Sequence, residues 1–215
     1  MRSGIVVAGT DTDVGKTVFA AALVGALGAV YWKPVQAGLA GETDCEAVQR
    51  LAAAPDERVL PEVYRLSTAA SPHLAAERDG IEIDIERLEA LPGSVGKPII
   101  IEAAGGLLVP LTRSVLQIDL FPRWQLPVVL VASTRLGTIN HSLLSIEALK
   151  RRGIPLLGVA FVGDENADSE RTIAELSGVR RLGRLPRLDL LDAASLRTAF
   201  AAGFSVADFT APEVI

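Results

Sequence analysis

A glycine-rich loop near the start of the chain constrains the fold more than any other feature. Residues 9–17 have the sequence GTDTDVGKT and directly follow a short apolar run at residues 5–8. In a strand–loop–helix unit of this kind, backbone N–H groups and the positive end of the helix point at phosphate oxygens. The strict phosphate-loop pattern has glycine where this chain has Thr10, so it is missed at one position. We therefore expect a phosphate-binding loop between the first strand and the first helix.

The rest of the chain alternates short apolar runs with helical segments, as the β-α-β units of a parallel sheet do. The predicted strands are residues 5–8, 29–32, 98–101, 128–132, 156–162 and 181–185. The predicted helices are residues 17–27, 44–53, 85–91, 138–151, 169–176 and 193–201. Residues 55–80 are predicted as an excursion from the sheet. We expect an α/β fold in one P-loop NTPase-like domain, residues 1–215, with a mostly parallel sheet and helices on both faces.

Charge and composition argue against several classes of function. The 215 residues have a net charge of −5, which leaves no broad cationic surface for nucleic acid or anionic lipid. No apolar run approaches the roughly 20 residues that span a bilayer, and no signal peptide precedes the first strand. Cys45 is the only cysteine, so an intrachain disulfide cannot form. We expect a cytoplasmic protein without nucleic acid or membrane partners.

Three residues of the loop have distinct implications. Lys16 is placed to bridge the β- and γ-phosphates of a nucleoside triphosphate, and the Thr17 hydroxyl is placed to bind Mg²⁺. Asp11 lies where partitioning and division-site ATPases have a lysine that reaches the nucleotide of a partner subunit. An acidic residue at this position argues against that class.

Glu102 follows the apolar run at residues 98–101 and precedes Ala103, Ala104 and Gly105. A carboxylate at the C-terminal end of a buried parallel strand lies where α/β proteins bind ligands, and it can hold Mg²⁺ directly or through water. Alone, it is equally consistent with a solvated strand end. Beside a phosphate loop, the metal role is the better interpretation.

Lys33 follows the second predicted strand and precedes a proline. A cation there would lie on the same rim as the loop and would stabilise charge on a transferring phosphoryl group. A lone lysine after a strand is usually solvated, so this position needs further context.

The helix after the fourth strand offers a second anion site. Its first backbone N–H groups, at Gly137, Thr138, Ile139 and Asn140, can take a carboxylate. His141 and His73 are interpreted as structural residues, because neither has metal-ligand spacing and no Ser/His/Asp or Cys/His set can be assembled.

These segments, in this order, resemble the dethiobiotin synthetases, ATP-dependent cyclo-ligases of biotin synthesis. The matching stretches are GTDTDVGKT at 9–17, KPV at 33–35, Asp44, SPH at 71–73, Glu102 with GG at 105–106, and LGTINH at 136–141. The resemblance implies that one amine of 7,8-diaminononanoate takes up CO₂ as a carbamate. A carbamate oxygen then attacks the γ-phosphate of ATP to give a carbamic-phosphoric mixed anhydride. The second amine closes the ureido ring, so the products are dethiobiotin, ADP and phosphate.

The resemblance also implies roles for individual residues. The Mg²⁺ ligands would be Thr17, Asp44 and Glu102, and the catalytic residues would be Lys33 and Lys16. The residues around nucleotide and metal would be Asp13, Val14, Gly15, Lys16, Thr17, Val18, Asp44, Glu102, Ala103, Ala104, Gly105, Val162, Gly163, Pro186, Arg187 and Leu188. The substrate-binding residues would be Thr12, Lys33, Ala37, Gly137, Thr138, Ile139 and Asn140, the last four from the neighbouring subunit of a homodimer.

Three departures from the family pattern concern details of this site. Ala37 stands where many relatives have Ser or Thr, so one hydrogen bond to substrate is absent or is replaced, for example by Gln36. Val162 and Gly163 stand in place of an Asn-Asp pair that reads adenine, so base selectivity is relaxed or moved to backbone groups. The short connection between the loop and Lys33 predicts a first helix about one turn shorter than usual.

Three alternatives remain at this stage. A partitioning or regulatory ATPase shares the fold and the loop, but Asp11 and Lys33 argue against it. A cobyrinate-type amide synthetase normally carries a fused glutaminase, and Cys45 lacks the surroundings of a nucleophile elbow. A nucleotide-binding protein without enzymatic activity would need no catalytic cation at Lys33.

Overall fold

The computed structural model describes residues 3–93 and 96–210. Within this range, seven strands form one sheet in the order β4-β2-β6-β1-β7-β8-β9, and two more form a separate pair, β3-β5. The strands are β1 Gly4–Gly9, β2 Val30–Trp32, β3 Val35–Ala37, β4 Val59–Leu60, β5 Tyr64–Leu66, β6 Ile99–Gly106, β7 Val128–Ser133, β8 Leu156–Val162 and β9 Arg181–Leu185. Every pairing in both sheets is parallel.

Most of the helices lie between strands along the chain, and the last two follow β9. They are α1 Lys16–Leu27, α2 Asp44–Leu51, α3 Pro72–Asp79, α4 Ile85–Glu89, α5 Phe121–Trp124, α6 Thr138–Arg151, α7 Ala167–Ser177, α8 Ala193–Gly203 and α9 Ala207–Thr210, with 3₁₀ turns at Asp56–Arg58 and Gln117–Leu120. Among the helices of the described residues, none has the length and apolar character needed to cross a membrane.

Two apolar clusters, one on each face of the sheet, form the core. Because side chains alternate along a strand, Ile5 and Val7 of β1 join one cluster while Val6 and Ala8 join the other. Helices α1, α2 and α8 pack in the cluster of Ile5 and Val7, which we call the first cluster. Helices α6 and α7 pack in the cluster of Val6 and Ala8, the second cluster. The predicted fold class, a mostly parallel sheet with helices on both faces, is confirmed.

Four phenylalanines in the first cluster join α1 to the C-terminal part of the described chain. Phe19 of α1 lies 6.3 Å from Phe200, 5.4 Å from Phe204 and 6.1 Å from Phe209, measured between ring centroids. Phe200 and Phe204 stack on each other at 5.0 Å. Aromatic pairs at these separations add to the energy of burial, so the cluster fixes the helix that follows the glycine-rich loop.

Some predicted bounds were wrong for identifiable reasons. The helix predicted at residues 44–53 ends at Leu51, and Ala53 adopts a positive φ of 46° that no α-helix accommodates. Residues 55–80 are not simply an excursion, since β4 pairs with β2 at the edge of the main sheet while β5 pairs with β3. Strands of two or three residues are too short to show a periodic pattern.

The topology places the ends of three strands around one point. β1 lies between β6 and β7, whereas the chain leaving β1 crosses over β6 through α1 to form β2. The carboxyl ends of β1, β2 and β6 therefore lie at one edge, at the switch point where open α/β sheets bind ligands.

Candidate functional site

The glycine-rich loop joins β1 to α1 as predicted, and its backbone is shaped for anion binding. Gly15 is the N-cap residue of α1 at a φ of 96°, and no side chain caps the helix. The first N–H groups of a helix have no intrahelical partner, so those at the start of α1 are available to phosphate oxygens. A Cβ atom on Gly15 would lie 2.6 Å from Val162 Cγ1, so the loop requires glycine here for space as well as conformation.

Lys16 folds back over the loop. Its Nζ donates a hydrogen bond of 2.8 Å to the backbone oxygen of Asp11, and the side chain is buried. A Cβ atom on Gly9 would lie 2.9 Å from this Nζ, so glycine makes room for the ammonium group. Burial lowers the pKa of Lys16, an effect that the nearby carboxylate of Glu102 opposes.

Four polar side chains meet beside the loop. Thr17 Oγ1 lies 3.0 Å from Asp44 Oδ1 and 2.8 Å from Glu102 Oε1. Lys33 Nζ lies 3.2 Å from Glu102 Oε1 and is also ion-paired with Asp44 Oδ2. Lys33 and Glu102 are only 5% and 1% exposed, so this is a buried cluster rather than a solvated rim.

Local sequence explains how α2 presents Asp44. Thr43 is the N-cap, and a capping box joins it to Glu46, whose N–H donates to the Thr43 hydroxyl while its carboxylate accepts from the Thr43 N–H. Asp44 is then the first helical residue, where a carboxylate also interacts favourably with the helix dipole.

Strand register explains the other two positions. Tyr31 of β2 pairs with Ile100 of β6, and side chains two residues apart on a strand share a face. Glu102, two residues after Ile100, and Lys33, two residues after Tyr31, therefore lie on the face covered by α1 and α2.

The cluster is electrostatically coupled. Burial alone would lower the pKa of Lys33, but the carboxylates of Glu102 and Asp44 outweigh it and raise the pKa above its usual value. Burial alone would raise the pKa of Asp44, and Lys33 reverses this, so that carboxyl has a lowered pKa. Lys33 is thus held as a cation and Asp44 as an anion.

A cavity of about 730 Å³ opens over this cluster. The predicted site residues that line it are Thr12, Asp13, Gly15, Lys16, Thr17, Val18, Lys33, Ala37, Asp44, Glu102, Ala104 and Gly105. The structure thus brings together residues from the loop, the turn after β2, α2 and β6 that lie far apart in sequence. Val14 and Ala103 are buried next to these residues without lining the cavity.

The residues predicted around the nucleotide base lie at the ends of β8 and β9. Val162 is the last residue of β8 and lies against Gly15. Gly163 has a φ of 136°, and a Cβ atom on it would lie too close to the Thr134 hydroxyl. Pro186, Arg187 and Leu188 follow β9, and Arg187 pairs with Asp164 at 3.4 Å. Of these positions Val162 contacts the loop, and none of them lines the main cavity.

Gly137, Thr138, Ile139 and Asn140 do not line the cavity of their own chain. Gly137 is the N-cap of α6 at a φ of 96°, and no side chain caps this 14-residue helix. Arg135, just before it, donates a hydrogen bond of 2.8 Å to the backbone oxygen of Asp13. The start of α6 is thus close to the glycine-rich loop, but its residues do not line the cavity.

Other residues also contribute to the site. Ala69, Ala70, Ser71 and Pro72 line the cavity from residues 55–80, and of these only Ser71 and Pro72 belong to a stretch that resembles the family. Gln36 is buried there, and its amide donates to Gly38 O at 3.2 Å and accepts from Asp44 N–H at 3.4 Å. Tyr31 donates to Glu102 Oε2 at 2.8 Å. A tyrosine in an apolar strand is indistinguishable from a core residue in the sequence, so no local signal marked it.

Solved structures with similar architecture include the MinC:MinD cell division protein complex of Aquifex aeolicus, with a TM-score of 0.56 at 14% identity over 92% of this chain and 86% of that one. The MinD protein of Pyrococcus horikoshii OT3 complexed with Mg-ADP also has a TM-score of 0.56, at 15% identity over 99% of this chain and 90% of that one. At such identities the likeness concerns the fold alone. Fold and loop geometry together define the class: this is an α/β P-loop protein.

Sequence comparisons narrow the class to a family. A family model described as an AAA domain matches residues 3–195. The ATP-dependent dethiobiotin synthetase BioD of Rhodopseudomonas palustris strain TIE-1 is 66% identical over 97% of this chain and 98% of its own length. The protein of the same name from Bradyrhizobium sp. strain BTAi1 is 62% identical over 97% of this chain and 99% of its own length. The one from Nitrobacter hamburgensis is 59% identical over 97% of this chain and 98% of its own length. The chain belongs to the dethiobiotin synthetase family.

Proposed function

We propose that this chain converts 7,8-diaminononanoate, CO₂ and ATP into dethiobiotin, ADP and phosphate in a Mg²⁺-dependent reaction. Its relatives at 58% to 66% identity bear the name of that activity. The observation on which the proposal rests is Lys33, a cation outside the glycine-rich loop, 5% exposed and paired with both Asp44 and Glu102 at the cavity. Two anionic reactants, a carbamate and a γ-phosphate, must approach each other there, and a fixed cation offsets their repulsion.

The glycine-rich loop supplies the phosphate site. N–H groups at the start of α1 point out of the helix beside Lys16, whose ammonium group is the loop's own cation. In the structure this ammonium group is held by the Asp11 carbonyl oxygen, so it is already directed inward over the loop. Lys16 then meets the β- and γ-phosphates from the loop side, opposite Lys33.

The oxygens of Thr17, Asp44 and Glu102 fit a Mg²⁺ ion. They are hard donors that already lie together, and the single Thr17 hydroxyl proton cannot bond both carboxylates at once. Among the described residues, no group of three or more His, Cys, Asp or Glu is placed to hold a metal. Two carboxylates and a hydroxyl leave positions for phosphate oxygens and water, as Mg²⁺ normally retains. Bound there, the ion would neutralise charge on the phosphates.

The protein needs to do little covalent chemistry. An amine attacks CO₂ and loses its proton, a carbamate oxygen attacks the γ-phosphorus as ADP leaves, and the second amine attacks the carbamoyl carbon as phosphate leaves. Each step depends on holding reactants in line and neutralising charge. Lys33 and Lys16 serve the second step, next to the buried carboxylate of Glu102.

We infer that the substrate site is completed by a second copy of the chain. The uncapped start of α6 at Gly137 can take the carboxylate tail of the diamine, yet it lies outside the cavity of its own chain. Leu136 beside it is fully exposed, and Leu108 and Leu144 are more than half exposed. Exposed leucines next to a binding element favour a homodimer in which one subunit's α6 faces its partner's cavity.

Contacts to the rest of the ligands stay predictions. Thr12 and Ala37 line the cavity where the diamine would lie, and Gln36, which lines it too, would replace the hydrogen bond of the hydroxyl that Ala37 lacks. Val162, Gly163 and residues 186–188 would border the base through backbone and apolar contact. The single domain over residues 1–215, the cytoplasmic location and the lack of nucleic acid partners also remain predictions.

The proposal is tested by measuring phosphate release from ATP, Mg²⁺ and bicarbonate with and without 7,8-diaminononanoate, while dethiobiotin is followed by mass spectrometry. We expect release that depends on the diamine and matches product one to one. The control substrate is 8-aminononanoate, which has one amine and cannot close a ring. Diamine-independent hydrolysis without product would instead favour a switch ATPase.

A further inference from the structure

We propose that Tyr31 is a positioning residue that orients the carboxylate of Glu102, an inference that rests on the Mg²⁺ role proposed for Glu102. Tyr31 lies in the middle of β2 and its side chain is completely buried. Its hydroxyl donates a hydrogen bond of 2.8 Å to Glu102 Oε2. Glu102 is itself 1% exposed, so its carboxylate depends on partners within the protein such as this donor.

The two carboxylate oxygens of Glu102 have separate partners. Oε1 accepts from Thr17 Oγ1 at 2.8 Å and from Lys33 Nζ at 3.2 Å, so it lies among the residues at the cavity. Oε2 accepts from Tyr31. The tyrosine therefore fixes the rotation of the carboxylate and presents one oxygen to the cavity. A single oxygen from each carboxylate suits the tight octahedral geometry of Mg²⁺.

The backbone register makes this contact specific. Tyr31 pairs with Ile100, and Glu102 lies two residues further along β6 on the same face. The hydrogen bond of 2.8 Å shows that the Tyr31 side chain reaches this diagonal neighbour across the two parallel strands. Phenylalanine would fill the same space but could not donate a hydrogen bond. The phenol oxygen is therefore the feature that the site requires at this position.

Partners of metal ligands commonly determine how well the ligands bind. Loss of such a partner typically costs about 10- to 100-fold in metal affinity or activity. Tyr31 does not line the cavity, and its hydroxyl is bonded to Glu102 rather than to the glycine-rich loop. Loss of the Tyr31 hydroxyl should therefore weaken binding of the metal and leave binding of the nucleotide in the absence of metal unchanged.

The test is Tyr31→Phe, with Mn²⁺ as the probe and electron paramagnetic resonance of free Mn²⁺ as the readout, in the presence of a non-hydrolysable ATP analogue. We expect the Mn²⁺ dissociation constant to rise about 10- to 100-fold, while affinity for the analogue in EDTA stays unchanged. The matched control is Tyr64→Phe, which loses a buried hydroxyl that accepts from the Asp84 N–H at 2.8 Å, away from the cavity. Its Mn²⁺ constant should equal that of the wild type.

A Tyr31→Phe protein that loses only thermal stability, with an unchanged Mn²⁺ constant, would overturn the inference and leave the metal role of Glu102 intact. A wild-type protein that binds no Mn²⁺ in the presence of the analogue would overturn both the inference on Tyr31 and the metal role of Glu102. If Tyr31→Phe does not fold, the wild type labelled with 3-fluorotyrosine gives a second readout, because the chain has two tyrosines. The ¹⁹F resonance that persists in Tyr64→Phe should move when Mg²⁺ joins the nucleotide, and an unmoved resonance contradicts the proposal.

Discussion

Replacing Lys33 by alanine should lower kcat by about 10²- to 10³-fold, the usual cost of losing one charge-stabilising group in an active site. Lys33 contacts Asp44 and Glu102, not the loop between β1 and α1, so the nucleotide keeps its phosphate site. The affinity for a non-hydrolysable ATP analogue, measured by calorimetry, should therefore be largely retained. The loss appears in turnover because Lys33 offsets charge as the carbamate meets the γ-phosphate.

The matched control is Lys150→Ala. Lys150 lies in the last turn of α6 and donates to Ser177 O at 2.7 Å, far from the cavity residues. This variant should turn over like the wild type. Because Lys33 is buried, the unfolding free energy of each variant must be measured too. Full turnover in folded Lys33→Ala, or a loss explained entirely by unfolding, would contradict the catalytic role.

Replacing Phe19 by alanine should lower the free energy of unfolding by about 3–5 kcal/mol, the range for removing a buried phenylalanine ring. Phe19 is completely buried and faces three other phenylalanines from α8, α9 and the turn between them. Its loss removes apolar burial and three aromatic contacts, and it leaves a cavity that rigid flanking elements cannot close. Urea denaturation followed by circular dichroism measures the change.

Phe19→Leu is the control that keeps a large apolar side chain but removes the ring. A leucine fills much of the site, so we expect a smaller loss than for alanine. Equal losses in the free energy of unfolding for Phe19→Ala and Phe19→Leu would contradict this prediction. So would a loss below about 1 kcal/mol for Phe19→Ala, which is the scale of ordinary surface substitutions.

The glycine-rich loop was predictable because all of its determinants are local. A buried strand, a loop of fixed spacing and a helix start are consecutive in the chain, and the structure places Lys16 and Thr17 at the start of α1. The alternation of apolar runs and helices likewise predicted the parallel sheet, whose two faces divide the side chains of β1 between two cores.

Lys33 and Glu102 needed more than local sequence. In the sequence each looks like a charged residue just after a short apolar run, which is usually solvated, although β6 in fact continues past Glu102 to Gly106. The nearby glycine-rich loop indicated a metal role for Glu102, whereas only the resemblance to a family linked Lys33 to chemistry. Their burial follows from the pairing of β2 with β6, which no single-sequence pattern specifies. The edge strand β4 and the β3-β5 pair were missed because two or three residues show no period.

Tyr31 illustrates what the sequence alone does not contain. In the chain it is one apolar-looking residue of a three-residue strand, and only the register with β6 places its hydroxyl on Glu102. Conversely, the start of α6 at Gly137 was assigned to a neighbouring subunit from family resemblance. Its position outside the cavity of its own chain is compatible with that prediction but does not test it.

The most direct test of the account is the fate of oxygen from labelled CO₂ during a single rapid turnover in unlabelled water. If a carbamate oxygen attacks the γ-phosphate, that oxygen remains with phosphorus when the second amine closes the ring. One ¹⁸O atom from C¹⁸O₂ should therefore appear in each phosphate released with dethiobiotin. Phosphate that carries no ¹⁸O would show that ATP is hydrolysed by water, and it would contradict the proposed reaction at this site.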